Sequence, residues 1–145
     1  PKPQNPVHLN IKHQRNMSAK LLERKEYLCA VNIIEARGIQ GKDVGATSDP
    51  FVRVRVADQW QQTQKKYEVN SAVWNQTLTF TGIKMNMYEM ETFEMNIELY
   101  DHNDVLADEF IGQYSIGLST LYRHTNHEYY KRWITLFNPQ NGNVL

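Results

Sequence analysis

The chain is poor in covalent staples. Of its 145 residues only Cys29 is a cysteine, so no disulfide closes within the chain and a bridge-stapled secreted scaffold is excluded. A reducing compartment is the expected setting. Five prolines and seven glycines are too few for a collagen-like repeat or a flexible low-complexity tract. No stretch approaches the run of about 18 apolar residues that a spanning helix needs. Between Lys84 and Arg123 lie 38 residues without Lys or Arg, yet they hold eight of the 16 acids. Thirteen of the 16 basic residues stand at or before Lys84, and the formal net charge is zero. Such segregation creates local fields of opposite sign and does not resemble a uniformly basic nucleic-acid binder. What is present suits one domain with a real core, since 41% of the residues are apolar and 16 are aromatic. The first residue is Pro1 rather than Met, so a segment of a longer protein is expected.

The dominant period is two. In Phe51-Val-Arg-Val-Arg-Val56 the valines alternate with Arg53 and Arg55, the pattern of a half-buried strand. From Thr92 to Tyr100, Phe93, Met95, Ile97 and Leu99 are expected to point inward, with Glu94, Asn96 and Glu98 outward. Tyr27–Ala36 is apolar on both faces, which suits a central strand covered by a second sheet. Shorter candidates are Gln64–Val69, Thr77–Phe80, Phe110–Ile116 and Arg132–Leu136, and Val7, Leu9 and Ile11 offer a further strand. Turns are expected at Gly38, Gly41, Gly45, Asp49-Pro50, Asn75, Gly82, Asn103 and Asn138-Pro139. Strands at this spacing predict an antiparallel β-sandwich, with short helices at Ser18–Glu26 and within Leu118–Tyr130.

The acids fall where strands end. Asp43 and Asp49 flank a glycine-containing loop between two strands, and Asp101, Asn103, Asp104, Asp108 and Glu109 fill a second loop. Calcium takes 6–8 oxygen ligands, tolerates irregular geometry and draws on carboxylates, amides and carbonyls alike. Clustered carboxylates repel one another unless cations intervene, and the second loop contains no Lys or Arg. Two readings fit these acids: a solvated acidic loop, or one half of a cation site.

Spacing adds a resemblance. Lys42-Asp-Val-Gly-Ala-Thr-Ser-Asp-Pro-Phe-Val-Arg-Val54 resembles the first calcium loop of a C2 domain. Ser71-Ala-Val-Trp-Asn-Gln-Thr-Leu-Thr-Phe80 is similar to the C2 stretch Asn-Pro-x-Trp-Asn-Glu, and Tyr100–Gly112 resembles the third loop. These matches stand in order across Tyr27 to Leu136. The tail, with Thr120-Leu-Tyr-Arg-His and His127-Glu-Tyr-Tyr-Lys-Arg-Trp-Ile-Thr-Leu136, looks like an early C2 domain of the ferlins, membrane-anchored proteins of vesicle fusion and membrane repair.

The resemblance implies an eight-stranded antiparallel Greek-key sandwich over residues 27–145, with residues 1–26 as an extension. It implies up to two calcium ions held by Asp43, Asp49, Asp101, Asn103 and Glu109, with Asp108 as a substitute for Glu109 and Asp104 facing solvent. Asn103 and Glu109 depart from the pattern, which has Asp at both places. Val44, Val105 and Leu106 fall at loop tips, where they either dip into a membrane or pack within the loop. Arg53, Arg55, Lys65 and Lys66 fall on a cationic patch for phosphoinositide headgroups, or else form a solubilising strand face. The eighth strand is supplied either by Val7–Ile11 or from beyond Leu145.

No catalytic motif is visible: there is no Gly-x-Ser-x-Gly elbow, no phosphate-cradling glycine loop and no histidine pair on a helix. Cys29 lies in an apolar strand and reads as an inert core thiol. Trp74 and Trp133 read as core, Trp60 as an interface anchor or a strand cap, and His102 as loop surface. The expected function is calcium-regulated membrane targeting at the cytoplasmic face of vesicle or plasma membrane, through anionic phospholipid and without nucleic acid. The alternative is a calcium-independent scaffold for proteins or sibling domains.

Overall fold

The computed structural model describes residues 19–39, 47–142 and 144. Six strands are named among them: β1 (Lys25–Ala36), β2 (Pro50–Val56), β3 (Gln59–Gln62), β4 (Ala72–Met85), β5 (Glu94–Asp101) and β6 (Glu109–Gly117). They form a four-stranded sheet of order β3-β2-β5-β6 and a two-stranded sheet of β1 and β4, with every pairing antiparallel. Two short helices follow strands, α1 (Met87–Thr92) before β5 and α2 (Leu118–Arg123) after β6.

The core lies between the sheets, as the period-two pattern requires. Val52, Val54 and Val56 of β2 meet Leu78 and Phe80 of β4, with Met95 and Leu99 of β5 beside them, all at most 5% exposed. Burying an aliphatic or aromatic side chain of this size contributes about 1.5–3 kcal/mol, and Ile83, Met85 and Met90 extend the same core.

β4 is one strand of 14 residues, not the short Thr77–Phe80 run bounded by turns. Asn75 and Gly82 lie inside it, with φ of 48° and 69°. The β1–β4 register shifts between Ile33 and Glu35 and between Tyr27 and Cys29, opposite these two residues. Each inserts an extra residue as a bulge, for which a left-handed backbone is suited. The turn chemistry at these positions bends a continuous strand and does not end it.

Other expectations are corrected. Gln64–Val69 is not a strand beyond an isolated bridge from Val69 to Ser48, and the hairpin partner of β2 is the polar run Gln59–Gln62. Arg132–Leu136 carries no ladder among the described residues; its neighbour Phe137 bridges Gln113 of β6. Phe93 is 36% exposed because β5 starts one residue later, where α1 ends. α1 itself follows from a capping box: the Asn86 side chain accepts from Glu89 N–H, and Glu89 accepts from Asn86 N–H. Residues 19–22 are helical, within the span expected, and α2 falls inside Leu118–Tyr130. Val7–Ile11 lies outside the described residues.

Candidate functional site

The start of β2, the end of β5 and the start of β6 lie at one end of the larger sheet, because Pro50 pairs with Asp101 and Asp101 with Glu109. This register brings two separated acidic turns together. Asp49 is held on three sides: its N–H donates to Asp101 Oδ1 at 2.6 Å, its Oδ1 accepts from Glu68 N–H at 2.7 Å, and its carbonyl accepts from His102 N–H at 2.9 Å. Glu109 stands across the ladder from Asp101, and directly opposed side chains share a sheet face. No Lys or Arg forms an ion pair with Asp49 or Asp101 among the described residues. Two half-buried acids thus become neighbours through a backbone N–H, and backbone N–H groups donate to both carboxylates. The candidate ligands are all hard oxygens and therefore suit calcium, although no group of three or more His, Cys, Asp or Glu able to hold a metal is assembled among the described residues. Asp43 and Val44 lie outside the described residues.

The loop between β5 and β6 is shaped by its own polar side chains. Asn103 Oδ1 accepts from the N–H groups of Val105 and Leu106, both at 3.0 Å, an Asx-type turn that occupies the amide oxygen. Asp108 Oδ1 accepts from Asn103 N–H at 3.3 Å and lies 2.6 Å from His102 Nδ1. Val105 and Leu106 stand at the tip, 89% and 72% exposed.

His102 is not the loop-surface residue expected. Its side chain is only 14% exposed, with Nε2 at 2.9 Å both from Asp104 Oδ1 and from Lys65 Nζ. The hydrogen bond to Asp108 raises the His102 pKa above its ordinary value, against desolvation and the Lys65 charge, and the same bond lowers that of Asp108. Asp104 is exposed, as expected, yet also reaches His102. The available signal was a lone histidine with acids one residue before it and two and six residues after it.

The basic residues occupy two settings. Arg53 is half-buried under aromatic rings, its guanidinium 4.9 Å from Tyr100, 5.1 Å from Trp60 and 5.8 Å from Phe51, and its Nε is buried without a partner. Arg55 is exposed beside Trp60, its cross-strand neighbour. Lys65 and Lys66 are half-buried between this face and the acidic end, with Lys66 N–H donating to Pro50 O at 3.0 Å. Trp74 packs on the core and donates Nε1–H to Gln64 O at 2.8 Å. Trp133 is not core: it is 65% exposed under the Arg37 guanidinium, since its segment joins no sheet among the described residues. Cys29 is half-buried, and burial pushes its thiol pKa up.

Two packed antiparallel sheets that gather carboxylate-bearing loops at one end define a class of β-sandwich module. The chain belongs to the C2 domain family, whose family model matches residues 27–136. It is similar to Ferlin 2 of Tetrahymena thermophila, 42% identical over 128 residues covering 88% of this chain and 8% of that protein. It is also similar to extended synaptotagmin-1 of Rattus norvegicus, 26% identical over 125 residues covering 82% and 11%. A solved, calcium-bound structure of two C2 domains of extended synaptotagmin 2 superposes with a TM-score of 0.63 at 29% identity, covering 75% of this chain and 39% of that one. The chain thus spans about a tenth of the length of these curated relatives.

Proposed function

We propose that this C2 domain is a non-catalytic, calcium-regulated phospholipid-binding module of a ferlin-like protein, acting in vesicle trafficking, fusion or membrane repair at the cytoplasmic face of a membrane. The observation that carries this reading is the apposition of Asp49 and Asp101 from turns 52 residues apart in the chain. Asp49, Asp101 and Glu109, completed by Asp43, would hold calcium, and Asp108 would join them if released from His102. Bound calcium supplies positive charge at an end otherwise lined by acids. An acidic rim is repelled by an anionic leaflet, and each charge at the surface is worth about 1 kcal/mol, so neutralising several decides whether the domain docks. Val105 and Leu106 then enter the headgroup region, while Arg55, Lys65, Lys66 and Arg53 offer charge to phosphates, phosphoinositides included.

A second reading rests on a specific observation. The Asn103 oxygen and the Asp108 carboxylate are already engaged by the loop and by His102, which suits a metal-independent scaffold for proteins or sibling domains. Co-sedimentation with phosphatidylserine vesicles separates the two. The calcium reading expects pelleting with calcium and its loss with chelator; equal pelleting in both, or none in either, contradicts it.

A further inference from the structure

The tip of the β5–β6 loop is a pair of exposed aliphatics pinned by one side chain. Residues 103–108 form no backbone–backbone hydrogen bond among the described residues, so the shape of the loop rests on side-chain acceptors. Asp108 Oδ1 closes the loop by accepting from Asn103 N–H at 3.3 Å. Asn103 Oδ1 in turn accepts from Val105 N–H and from Leu106 N–H, each at 3.0 Å.

An amide oxygen has two lone pairs, and an amide nitrogen offers only donors. With two N–H groups on Oδ1, Asn103 has no lone pair left for a cation. The residue that the family pattern sets among the calcium ligands is committed to the loop itself.

What Asn103 holds is apolar. Val105-Leu-Ala107 is an uncharged run between Asp104 and Asp108, and its two large side chains are the most exposed aliphatics among the described residues. Leaving such groups in water is unfavourable, so a loop free to relax would fold them back. Fixed outward at a convex tip, they fit a deformable apolar phase better than the shaped pocket of a protein partner. A loop already in its docked shape also loses less conformational freedom on binding.

We infer that Asn103 is not a calcium ligand but a positioning residue, which presents Val105 and Leu106 to the boundary between headgroups and acyl chains of an anionic phospholipid membrane. This rests on the lipid-binding reading proposed above and divides its labour: Asp49, Asp101 and Glu109 hold the ion, and Asn103 sets the tip.

Asn103→Ala and Asn103→Ser separate the two roles, since both are uncharged and a serine hydroxyl forms the same turn more weakly. Amide exchange by NMR in the calcium-free chain reads the two N–H bonds, and calorimetry reads calcium affinity. Co-sedimentation at saturating calcium with vesicles of phosphatidylcholine and phosphatidylserine reads docking. For Asn103→Ala the inference expects faster exchange at Val105 and Leu106, calcium affinity within about twofold of wild type, and vesicle affinity weaker by about three- to tenfold, with Asn103→Ser between. A loss of calcium affinity of about tenfold or more would make Asn103 a ligand and overturn the inference. Unchanged exchange, or unchanged vesicle affinity where the wild type pellets, would overturn it and leave the calcium reading standing. Wild type that pellets in neither calcium nor chelator would instead remove the lipid-binding reading, and the inference with it.

Discussion

Both sheets of this domain contain strongly apolar strands, but the sheets are finished differently. In the four-stranded sheet, β2 and β5 have partners on both sides, and Val54 and Val56 are wholly buried. In the two-stranded sheet, β1 is apolar too, yet Leu28 is 67% exposed and Val31 and Cys29 are only half-buried. The acidic end grows from the finished sheet, where the β2–β5–β6 ladder fixes Pro50, Asp101 and Glu109 side by side. Asp101 and Glu109 are thus mounted on the sheet whose inner strands are paired on both sides.

The sharpest way to break this contrast is to cut into both sheets. Leu99→Ala, at 3% exposure in β5, is expected to cost about 2–5 kcal/mol, whereas Leu28→Ala in β1 stays within about 0.5 kcal/mol. Urea denaturation reads both, and a large cost at Leu28 would mean that its face is covered. Within β4, a Cβ at Gly82 meets nothing within 4 Å, so Gly82→Ala tests the left-handed backbone alone. It should cost about 1–2 kcal/mol; no loss would remove the bulge as a constraint. Asn86→Ala removes the cap of α1 and should cost about 1 kcal/mol by the same denaturation assay.

The smallest expected effect concerns the acidic end. The His102 pKa is raised, so its contribution is complete below the ordinary histidine value and is lost as pH rises through the raised one. The Asp108 pKa is lowered, so its contribution is complete above the ordinary carboxylate value and fades as pH falls towards the lowered one. The pair is therefore most stabilising between about pH 4 and 6.5. His102→Gln should flatten the fall in Tm just above this window and just below it, where the pair's contribution is lost. An unaltered profile would mean that the ring does not titrate against Asp108.

Much of this architecture was legible before the structure, and the gaps have physical causes. β2 and β5 were readable because a half-buried strand must alternate, and β6 and β1 because their apolar runs fit no surface helix. β3 was invisible: Gln59-Trp-Gln-Gln62 carries no period, and its place comes from pairing with β2. Asn75 and Gly82 favour the same left-handed backbone in turns and in bulges, so composition alone does not separate the two. At the acidic end, the gathering of acids in two loops at strand ends was legible from the sequence, while the ligand set of Asp43, Asp49, Asp101, Asn103, Glu109 and Asp108 came from the family resemblance. The placement of His102 beside Lys65 depends on a contact 37 residues apart, which no local pattern records.

Isothermal calorimetry of calcium into the wild-type domain and into Asp101→Asn tests the proposed function most directly. Heat of saturable binding in the wild type, lost or much weakened when Asp101 gives up its charge, is the result expected. No binding to the wild type, or equal binding to both, would contradict a calcium site at Asp49 and Asp101.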